Sequence, residues 1–446
     1  MPRFNMFAIW IVALVSSFCY QQVEHRRESI FLTEAIDTIR DEGLEDVSRQ
    51  ELFNAAMSGM TERLDRFSRF IPRDQKELFE QQVENHFPGI GIRIRRRPNE
   101  QTQEIELFVE DTVIGNPRPA HDAGLRSGDR IVAVNGQVIV GKEQVGEGEI
   151  PVSESINHIK GPAGTKVDIT VLRDGKRQTF AVTRQEIDVD TVLGDTRDAE
   201  GKWEFDYAAD PRIGYIRIDS FSERTLGDLN KALEMLQEKK AIQGLIIDLR
   251  DNPGGYLSTT VEMCRRFIDD SHFDGLIVST RDRFGKDHDV YRATGDGALT
   301  RFPMVVMVNG ESASASEIFS ACLQDHKRAI VCGTRSYGKG SVQKMIPMER
   351  GRSILKLTTN SFWRPSGRQI HRMEDDTDED EWGVLPDDGF VVPLTDEENE
   401  RRLKERNERD IAEIESTGAL PTDPLFDPQL AKAVEYLQNQ LETKSE

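Results

Sequence analysis

Cysteine is scarce in this 446-residue chain. It holds four, and only Cys264, Cys322 and Cys332 lie beyond the N-terminal segment. An odd and sparse set argues against a disulfide framework, and none of the three has the spacing of metal ligands. The eight histidines contain no HExxH motif, which argues against a zinc protease. We therefore expect no metal site and no cofactor.

Basic residues are also too few for a general nucleic-acid binder. The chain has 58 Lys and Arg against 79 Asp and Glu, a net charge of −21, whereas binding to phosphates needs a basic face. Hydrophobic residues make up 37% and charged residues 31% of the sequence, which is ordinary for a folded soluble protein. The length exceeds what one hydrophobic core usually organises, so we expect several domains.

One long apolar run stands out near the N-terminus. It covers residues 6–15 and follows Arg3. The run is short for a spanning helix, but its length is typical of the apolar part of a signal peptide. We assign residues 1–23 to a signal peptide or membrane anchor. The protein is then exported to the periplasm or another extracytoplasmic space, tethered by residues 4–23 if the segment is not cleaved.

Four further regions differ in their periodicity. Residues 26–85 have apolar residues at helical spacing and are predicted to be helical. Residues 86–187 are predicted to form short strands and turns, with a tight turn at an Asn-Gly pair. Residues 188–394 alternate strands with helices, which implies a largely covered sheet. Residues 395–446 are predicted to be a helical tail that packs on the core or on a second subunit, through a stripe formed by Ala431, Val434, Leu437 and Leu441.

The first segment that suggests chemistry is rich in serine. Residues 309–317 read Asn-Gly-Glu-Ser-Ala-Ser-Ala-Ser-Glu, and they lie between a buried strand and an apolar helix face. Ser314 is therefore predicted at a helix N-terminus, where free N–H groups and the helix dipole favour a developing negative charge. Nucleophiles are exposed on strand-to-helix turns of this kind. Taken alone, the serines are better explained as plain helix caps, and only the segments that follow favour a nucleophile.

A lysine between two glycines follows the next apolar strand, in the run Gly338-Lys339-Gly340. The glycines leave room for a substrate backbone to approach, and desolvation lowers the pKa of a lysine so that it can act as a base. A Ser–Lys pair can transfer acyl groups without histidine. Gln343 is a candidate for orienting the amine, provided that the chain turns before it.

Backbone donors are suggested by the run Asn252-Pro253-Gly254-Gly255, which again follows a buried strand. Two glycines present their N–H groups without side-chain cover. With the N–H of Ala315 they are predicted to form an oxyanion hole, usually the largest catalytic contribution.

Together these segments resemble the carboxyl-terminal processing (tail-specific) protease family. The resemblance covers roughly residues 50–390 and keeps the family's order and spacing, with shared runs at residues 124–129, 248–255, 312–317, 323–329 and 337–343. Two positions depart from the family pattern. Residues 64–68 are similar to a family motif but carry Arg66-Phe67 where Pro-His is more usual, and Glu311 replaces a glycine before the serines. Neither change removes a catalytic group.

The resemblance implies a multi-domain α+β protein. Its parts are an N-terminal helical region, a PDZ-like β-domain, a crotonase-like α/β catalytic core and a C-terminal helical tail. It also implies a serine endopeptidase with Ser314 as nucleophile, Lys339 as general base, Gln343 assisting, and oxyanion donors from Ala315 and Gly254 or Gly255.

In such a protein the PDZ-like domain would recognise substrates. The loop Gly89-Ile90-Gly91-Ile92 would bind the C-terminal carboxylate of a peptide. The expected partners are proteins and peptides with accessible C-termini, with a second copy of the chain or a regulatory adaptor left open.

Two other interpretations remain at this point. A catalytically silent binding module could share the scaffold, but it would not need Ser314, Lys339 and Gln343 together. An acyl-CoA enzyme could share the crotonase-like core, although a peptide-binding domain argues against it, and a CoA-binding assay would separate the two. Asp325 matches a family position but lies about 16 Å along a helix from Ser314. We interpret it as structural, paired with Arg328.

Overall fold

The computed structural model describes residues 27–443, apart from residues 85, 100, 101, 103, 113–116, 142–144, 147, 199–200, 240–241, 294–298, 300–301, 374 and 412–424. The predicted signal peptide or anchor, residues 1–23, lies outside the described residues. Among the residues that are described, no helix combines the length and the apolar character needed to cross a bilayer.

The described chain contains both helices and short strands along its length. In chain order the elements are α1 (27–42), α2 (Arg49–Glu62), β1 (Arg69–Ile71), α3 (Arg73–Glu84), β2 (His86–Gly89), β3 (Arg93–Pro98), β4 (Ile105–Asp111), α4 (Pro119–Ala123), β5 (Arg130–Val134), β6 (Gln137–Val140), β7 (Glu149–Pro151), α5 (Val152–Ile159), β8 (Lys166–Arg173), β9 (Lys176–Thr183), β10 (Gln185–Asp188), β11 (Val192–Leu193), β12 (Thr196–Arg197), β13 (Trp203–Glu204), β14 (Ile213–Ile218), α6 (Thr225–Glu238), β15 (Gly244–Asp248), α7 (Leu257–Cys264), β16 (Leu276–Arg281), β17 (Asp287–Arg292), β18 (Met304–Val308), α8 (Ala315–Asp325), β19 (Ile330–Gly333), β20 (Ser341–Met348), β21 (Ser353–Trp363), α9 (Asp396–Ile411) and α10 (Pro428–Thr443).

The smaller of two units comprises the described residues up to Glu77 together with Gln343–Thr358. Here β1 pairs antiparallel with residues 354–356 of β21, and Phe70 of β1 packs edge-on against Phe53 of α2. The predicted helical region 26–85 therefore contains a strand. Local periodicity did not indicate this strand because its pairing partner lies far along the chain.

The larger unit comprises Leu78–Val342 and Thr359–Glu446, and its first part is a β-domain whose strands are antiparallel except for the parallel pair β6 and β7. Its sheet has the order β3-β4-β5-β6-β7, with β8 pairing to β5 and β9 to β8. A core that includes Leu107, Leu125 and Ile169 fills it. Asn135 and Gly136, both with positive φ, join β5 to β6, which confirms the predicted tight turn.

The second part of this unit is built on a five-stranded sheet of order β11-β14-β15-β18-β19. The last four strands are parallel. Alternate side chains point to opposite faces, so Ile247 and Val306 belong to the core that contains helix residues such as Phe319, whereas Ile246 and Val305 belong to the core beneath α10. Both faces are covered, as the strand–helix alternation predicted.

The tail covers one face of this sheet through α10. The apolar residues that α10 buries are Leu430, Ala433, Val434, Leu437 and Leu441. The predicted stripe was wrong at Ala431, which is exposed. Of the two alternatives, the helix packs on the core.

A buried ion pair joins the end of β15 to the start of α10. Arg250 donates to Asp248 (2.6 Å) and to Asp427 (2.7 Å), and all three side chains are almost fully buried. Although burial opposes it, Arg250 holds the pKa of Asp248 well below its usual range. Removing one member of such a pair typically costs about 3–5 kcal/mol, because a buried charge is left uncompensated.

Candidate active site

Three neighbouring parallel strands end at the same edge of the central sheet, and each leads into a predicted functional segment. β15 leads to Gly254 and Gly255, β18 to Ser314, and β19 to Lys339. β18 pairs with β15 on one side and with β19 on the other. Since the carboxyl ends of adjacent parallel strands meet, the topology brings these distant segments together.

Ser314 occupies a strained turn immediately before α8. Its φ is 56° and its ψ is −110°, a conformation that residues other than glycine rarely adopt. Ser314 is partly exposed, whereas Ser312 and Ser316 are buried. The turn thus presents one hydroxyl of the serine cluster, as nucleophile turns between strand and helix do.

Gly254 packs directly against this turn. A β-carbon at Gly254, where φ is +105°, would lie 2.7 Å from the Ala313 carbonyl oxygen and 2.9 Å from the Ser314 β-carbon. Only glycine permits so close an approach. The N–H of Gly254 donates to Asn252 Oδ1 (2.8 Å), so this donor is already occupied.

Of the three predicted oxyanion donors, Gly255 and Ala315 are the two whose N–H groups are not occupied by Asn252. Ala315 is the first residue of α8, where the helix supplies no acceptor for the N–H. No partner for the N–H of Gly255 occurs within the described part of the chain. These contacts favour Gly255 over Gly254, which the sequence left undecided.

A buried carboxylate, Glu317, connects the serine turn to the lysine loop. Its Oε2 accepts the backbone N–H groups of Ser314 and Lys339, each at 2.8 Å. Its Oε1 accepts the Ser336 hydroxyl and the Gly338 N–H, each at 2.6 Å. The backbone nitrogens of Ser314 and Lys339 both lie 2.8 Å from Oε2, so they are separated by at most twice that distance. The two backbones are therefore held side by side. Glu317 closes the serine motif, but its position in the sequence did not indicate this role.

The charge of Glu317 is set by two opposing effects. Burial raises the pKa of Glu317 above its ordinary value, while hydrogen bonds from Ser336, Gly338, Ser314 and Lys339 oppose the rise. All four partners donate hydrogen bonds, and three of them are backbone N–H groups, which cannot act as acceptors. The site therefore requires an acceptor at both oxygens.

We expect Glu317→Gln to lower kcat/KM at least about tenfold and stability by about 2–4 kcal/mol. The amide NH₂ must face two groups that also donate, so at least one buried N–H loses its acceptor. Peptide hydrolysis and urea denaturation measure the two effects. Glu311→Gln, an exposed change in the same loop, is the matched control and should leave both quantities unchanged. Wild-type activity in Glu317→Gln would contradict a positioning role.

The glycines around Lys339 serve the fold rather than the approach of a substrate. A β-carbon at Gly340 would lie 2.1 Å from the backbone nitrogen of His371, and one at Gly338 would lie 2.7 Å from the β-carbon of Arg372. The space that the sequence suggested for a substrate backbone is thus occupied by this chain. Lys339 itself is partly buried.

Gln343 belongs to a polar cluster of the smaller unit. Its Nε2 donates to Thr358 Oγ1 (3.3 Å), and the Thr358 hydroxyl donates to Asp65 Oδ1 (3.2 Å). The Ser68 hydroxyl donates to Asp65 Oδ2 (2.7 Å) and accepts the Thr358 N–H (3.0 Å). Burial opposes the shift, but hydrogen bonds from Ser68, Phe67 and Thr358 lower the pKa of Asp65 below its ordinary value. The similarity of residues 64–68 to a family motif was the signal for this cluster, but its link to Gln343 was missed.

Asp325 is structural, but its predicted partner was wrong. It pairs with Arg364, whose Nε donates to Oδ2 at 3.0 Å, and it accepts the Ser366 N–H. Arg328 instead donates to backbone carbonyls, including that of Phe302.

His326 lies at the opposite end of α8 from Ser314, and its Nε2 is 2.7 Å from the Leu276 carbonyl oxygen. It is therefore unsuited to serve Ser314 as a base.

The predicted carboxylate loop, residues 89–92, joins β2 to β3. Ile90 is buried, and its carbonyl accepts the Ala120 N–H at 3.0 Å. Gly91 has a φ of 70°, and Ile92 packs on the core of the β-domain. The loop is thus anchored at the start of the edge strand β3.

Comparison with known proteins agrees with this arrangement. The model of the PDZ domain matches residues 88–183, and that of peptidase family S41 matches residues 212–387. The carboxy-terminal-processing protease of Bartonella bacilliformis is 32% identical over 411 residues, which cover 88% of this chain and 84% of that protein. The carboxy-terminal processing protease CtpB of Bacillus subtilis is 33% identical over 352 residues, covering 76% and 65%.

Among solved structures, a putative S41 protease from Bacteroides fragilis shares the fold. It has a TM-score of 0.51 at 15% identity and covers 91% of this chain and 96% of that one. The predicted combination of a PDZ domain with a mixed α and β peptidase core is confirmed. With one relative similar over most of both sequences, the chain belongs to the carboxy-terminal-processing proteases of peptidase family S41, serine-type peptidases that act on protein substrates.

Proposed function

We propose that this peptidase captures the C-terminus of a protein on its PDZ domain and cleaves a peptide bond with Ser314 as nucleophile and Lys339 as general base. The observation that carries the proposal is the shared carboxylate of Glu317, which accepts the N–H groups of both residues. A silent binding module would have no need to hold these two segments together. The PDZ domain argues equally against an acyl-CoA enzyme.

In the acylation step the neutral amine of Lys339 takes the proton of the Ser314 hydroxyl as Oγ attacks the carbonyl carbon. The carbonyl oxygen becomes an oxyanion, and the N–H groups of Ala315 and Gly255 stabilise it. Lys339 then returns the proton to the leaving amine, the C–N bond breaks, and an ester to Ser314 remains.

Deacylation repeats these roles with water. Lys339 takes a proton from the water that attacks the ester, the same two N–H groups hold the second oxyanion, and Ser314 leaves with the proton. Gln343 assists by orienting the amine. Being uncharged, it is compatible with a neutral lysine where a carboxylate would favour the protonated form.

For capture, the substrate must present a free C-terminal carboxylate to the loop of residues 89–92. An apolar peptide with a free C-terminus should therefore be cleaved at least about tenfold more efficiently than its amidated twin, because the amide carries no charge for the loop to bind. The measurement is kcat/KM for the two forms of one peptide. The control is an internally quenched casein fragment, long enough that its cleavage does not depend on its C-terminus. Its rate reports the hydrolysis step separately from C-terminal capture. Equal rates for the matched pair would remove C-terminal capture from the proposal.

Export is proposed from the apolar run at residues 6–15. We expect the protein outside the cytoplasm, either released from residues 1–23 or tethered by residues 4–23. Cell fractionation with N-terminal sequencing distinguishes these two forms. Full-length protein confined to the soluble cytoplasmic fraction would contradict export.

A further inference from the structure

The edge strand beside the carboxylate loop is unusually basic for so acidic a protein. β3 reads Arg93-Ile94-Arg95-Arg96-Arg97-Pro98, in a chain whose net charge is −21. β3 pairs with β4 on one side. Across the part of the chain that the structure describes, no strand pairs with its other side. An extended peptide can therefore add to this edge through backbone hydrogen bonds.

The loop sets the direction and the register of such a peptide. Residues 89–92 precede β3, so a peptide whose carboxylate binds there must run antiparallel to β3. Its last residue then lies beside Ile92, and each earlier residue lies beside the next residue of β3. Counting back from the end, the fourth and fifth residues before the terminal one lie roughly beside Arg96 and Arg97.

The four arginines differ in what they already contact. Arg95 is paired with Glu110, and Arg93 lines a cavity together with Asp190 and Asp219. Arg96 and Arg97 are exposed.

No carboxylate of the described residues forms an ion pair with Arg96 or Arg97. The guanidinium of Arg97 instead lies 5.6 Å from the ring centre of Phe108. Glu106, directly opposite Arg97 on β4, is paired with Arg130. Two positive charges without an ion-pair partner among the described carboxylates thus lie at the end of β3 that is farther from the carboxylate loop.

We infer that the PDZ domain selects C-termini with acidic residues at the fourth and fifth positions before the terminal residue, read by Arg96 and Arg97. Ile94, which packs on the domain core, lies beside the second residue before the end and favours an apolar partner there. The two charges lie on opposite faces of the strand, because successive side chains alternate. Both acidic positions therefore contribute separately. This inference rests on the proposed C-terminal capture.

The test uses full-length protein carrying Ser314→Ala and fluorescent decapeptides with an apolar last residue. Glu or Gln occupies the fourth and fifth positions before the end, and each peptide is made as free acid and as amide. The Glu peptide with a free terminus should bind about fivefold more tightly than its Gln twin, given the modest energy of exposed ion pairs. Raising the salt concentration should shrink this ratio. Moving the glutamates to the first and second positions should abolish it.

Variants assign the effect to named residues. Arg96→Gln with Arg97→Gln should bring the ratio to one, and Arg96→Glu with Arg97→Glu should make a Lys peptide the preferred ligand. Arg177→Gln, an exposed change on β9 at the opposite edge of the sheet, should keep the fivefold ratio. Thermal melts confirm that each variant is folded.

The outcomes separate the two proposals. Equal binding of Glu and Gln free acids, with amides still weaker, would overturn the acidic preference and leave C-terminal capture standing. Equal binding of acids and amides would overturn capture itself, and the register counted from it. Arginine-dependent binding to anionic phosphatidylglycerol vesicles without any Glu preference would assign the basic strand to a membrane surface and overturn the inference.

Discussion

Ser314→Ala is expected to abolish peptide hydrolysis while the protein stays folded. The loss in kcat/KM should reach about 10⁴-fold or more, since the proposed ester intermediate forms on this hydroxyl. Stability should change by no more than about 1 kcal/mol, because Ser314 is partly exposed and alanine replaces it without a new cavity. Digestion of an unstructured protein and urea denaturation measure the two quantities.

The neighbouring serines provide the control. The Ser312 hydroxyl donates to the Leu249 carbonyl (2.8 Å), and the Ser316 hydroxyl donates to the Asn252 carbonyl (2.9 Å). Alanine at either position removes a buried hydrogen bond at a cost of about 1 kcal/mol. We expect both variants to be less stable and to keep most of their activity. A dead Ser316→Ala beside an active Ser314→Ala would move the nucleophile by two residues.

Lys339→Arg is expected to be nearly as inactive as Lys339→Ala, with both slower than wild type by about 10²–10⁴-fold. A base must be neutral to accept a proton, and a guanidinium stays charged in proteins. Both variants keep the backbone N–H that donates to Glu317, so the loop should hold its place. Steady-state rates on one peptide, with melting temperatures, separate lost chemistry from lost structure.

The pH profile adds a second measurement on Lys339. The wild-type rate should rise with pH as the amine loses its proton and then level off, because the neutral form is the active one. Lys344→Arg, an exposed lysine on β20, is the matched control and should keep the wild-type profile. Substantial activity in Lys339→Arg, with an unchanged profile, would remove this lysine from the mechanism.

Several parts of the fold followed directly from local sequence. The hairpin at Asn135-Gly136 was predictable because that pair adopts positive φ readily. The covered sheet followed from alternating strands and helices, whose buried strands read as continuous apolar runs such as Met304–Val308. Helical periodicity also indicated α10, although it placed Ala431 on the buried face. One residue of phase error in a helix turns a side chain by about 100°.

Other features required the three-dimensional structure because they depend on residues far apart in the chain. The strand β1 exists through its pairing with residues 354–356. Asp325 selects Arg364 over Arg328, a nearer residue in sequence. Gln343 joins a cluster with Asp65 through Thr358. Hydrogen bonds and ion pairs depend on which groups are close in space. A local sequence pattern therefore does not identify partners that are distant in the chain.

For the candidate site, the sequence by itself determined which residue types were present and in what order. Ser314, Lys339 and the glycine pair could be named because each follows a buried strand, and strand ends collect at one edge of a parallel sheet. Only the tertiary structure decided how they are held. The carboxylate of Glu317 is fully buried, so solvent cannot supply its hydrogen bonds. Ser314, Ser336, Gly338 and Lys339 donate them instead. Asn252 likewise occupies the N–H of Gly254, which leaves Gly255 as the candidate donor in the proposed oxyanion hole.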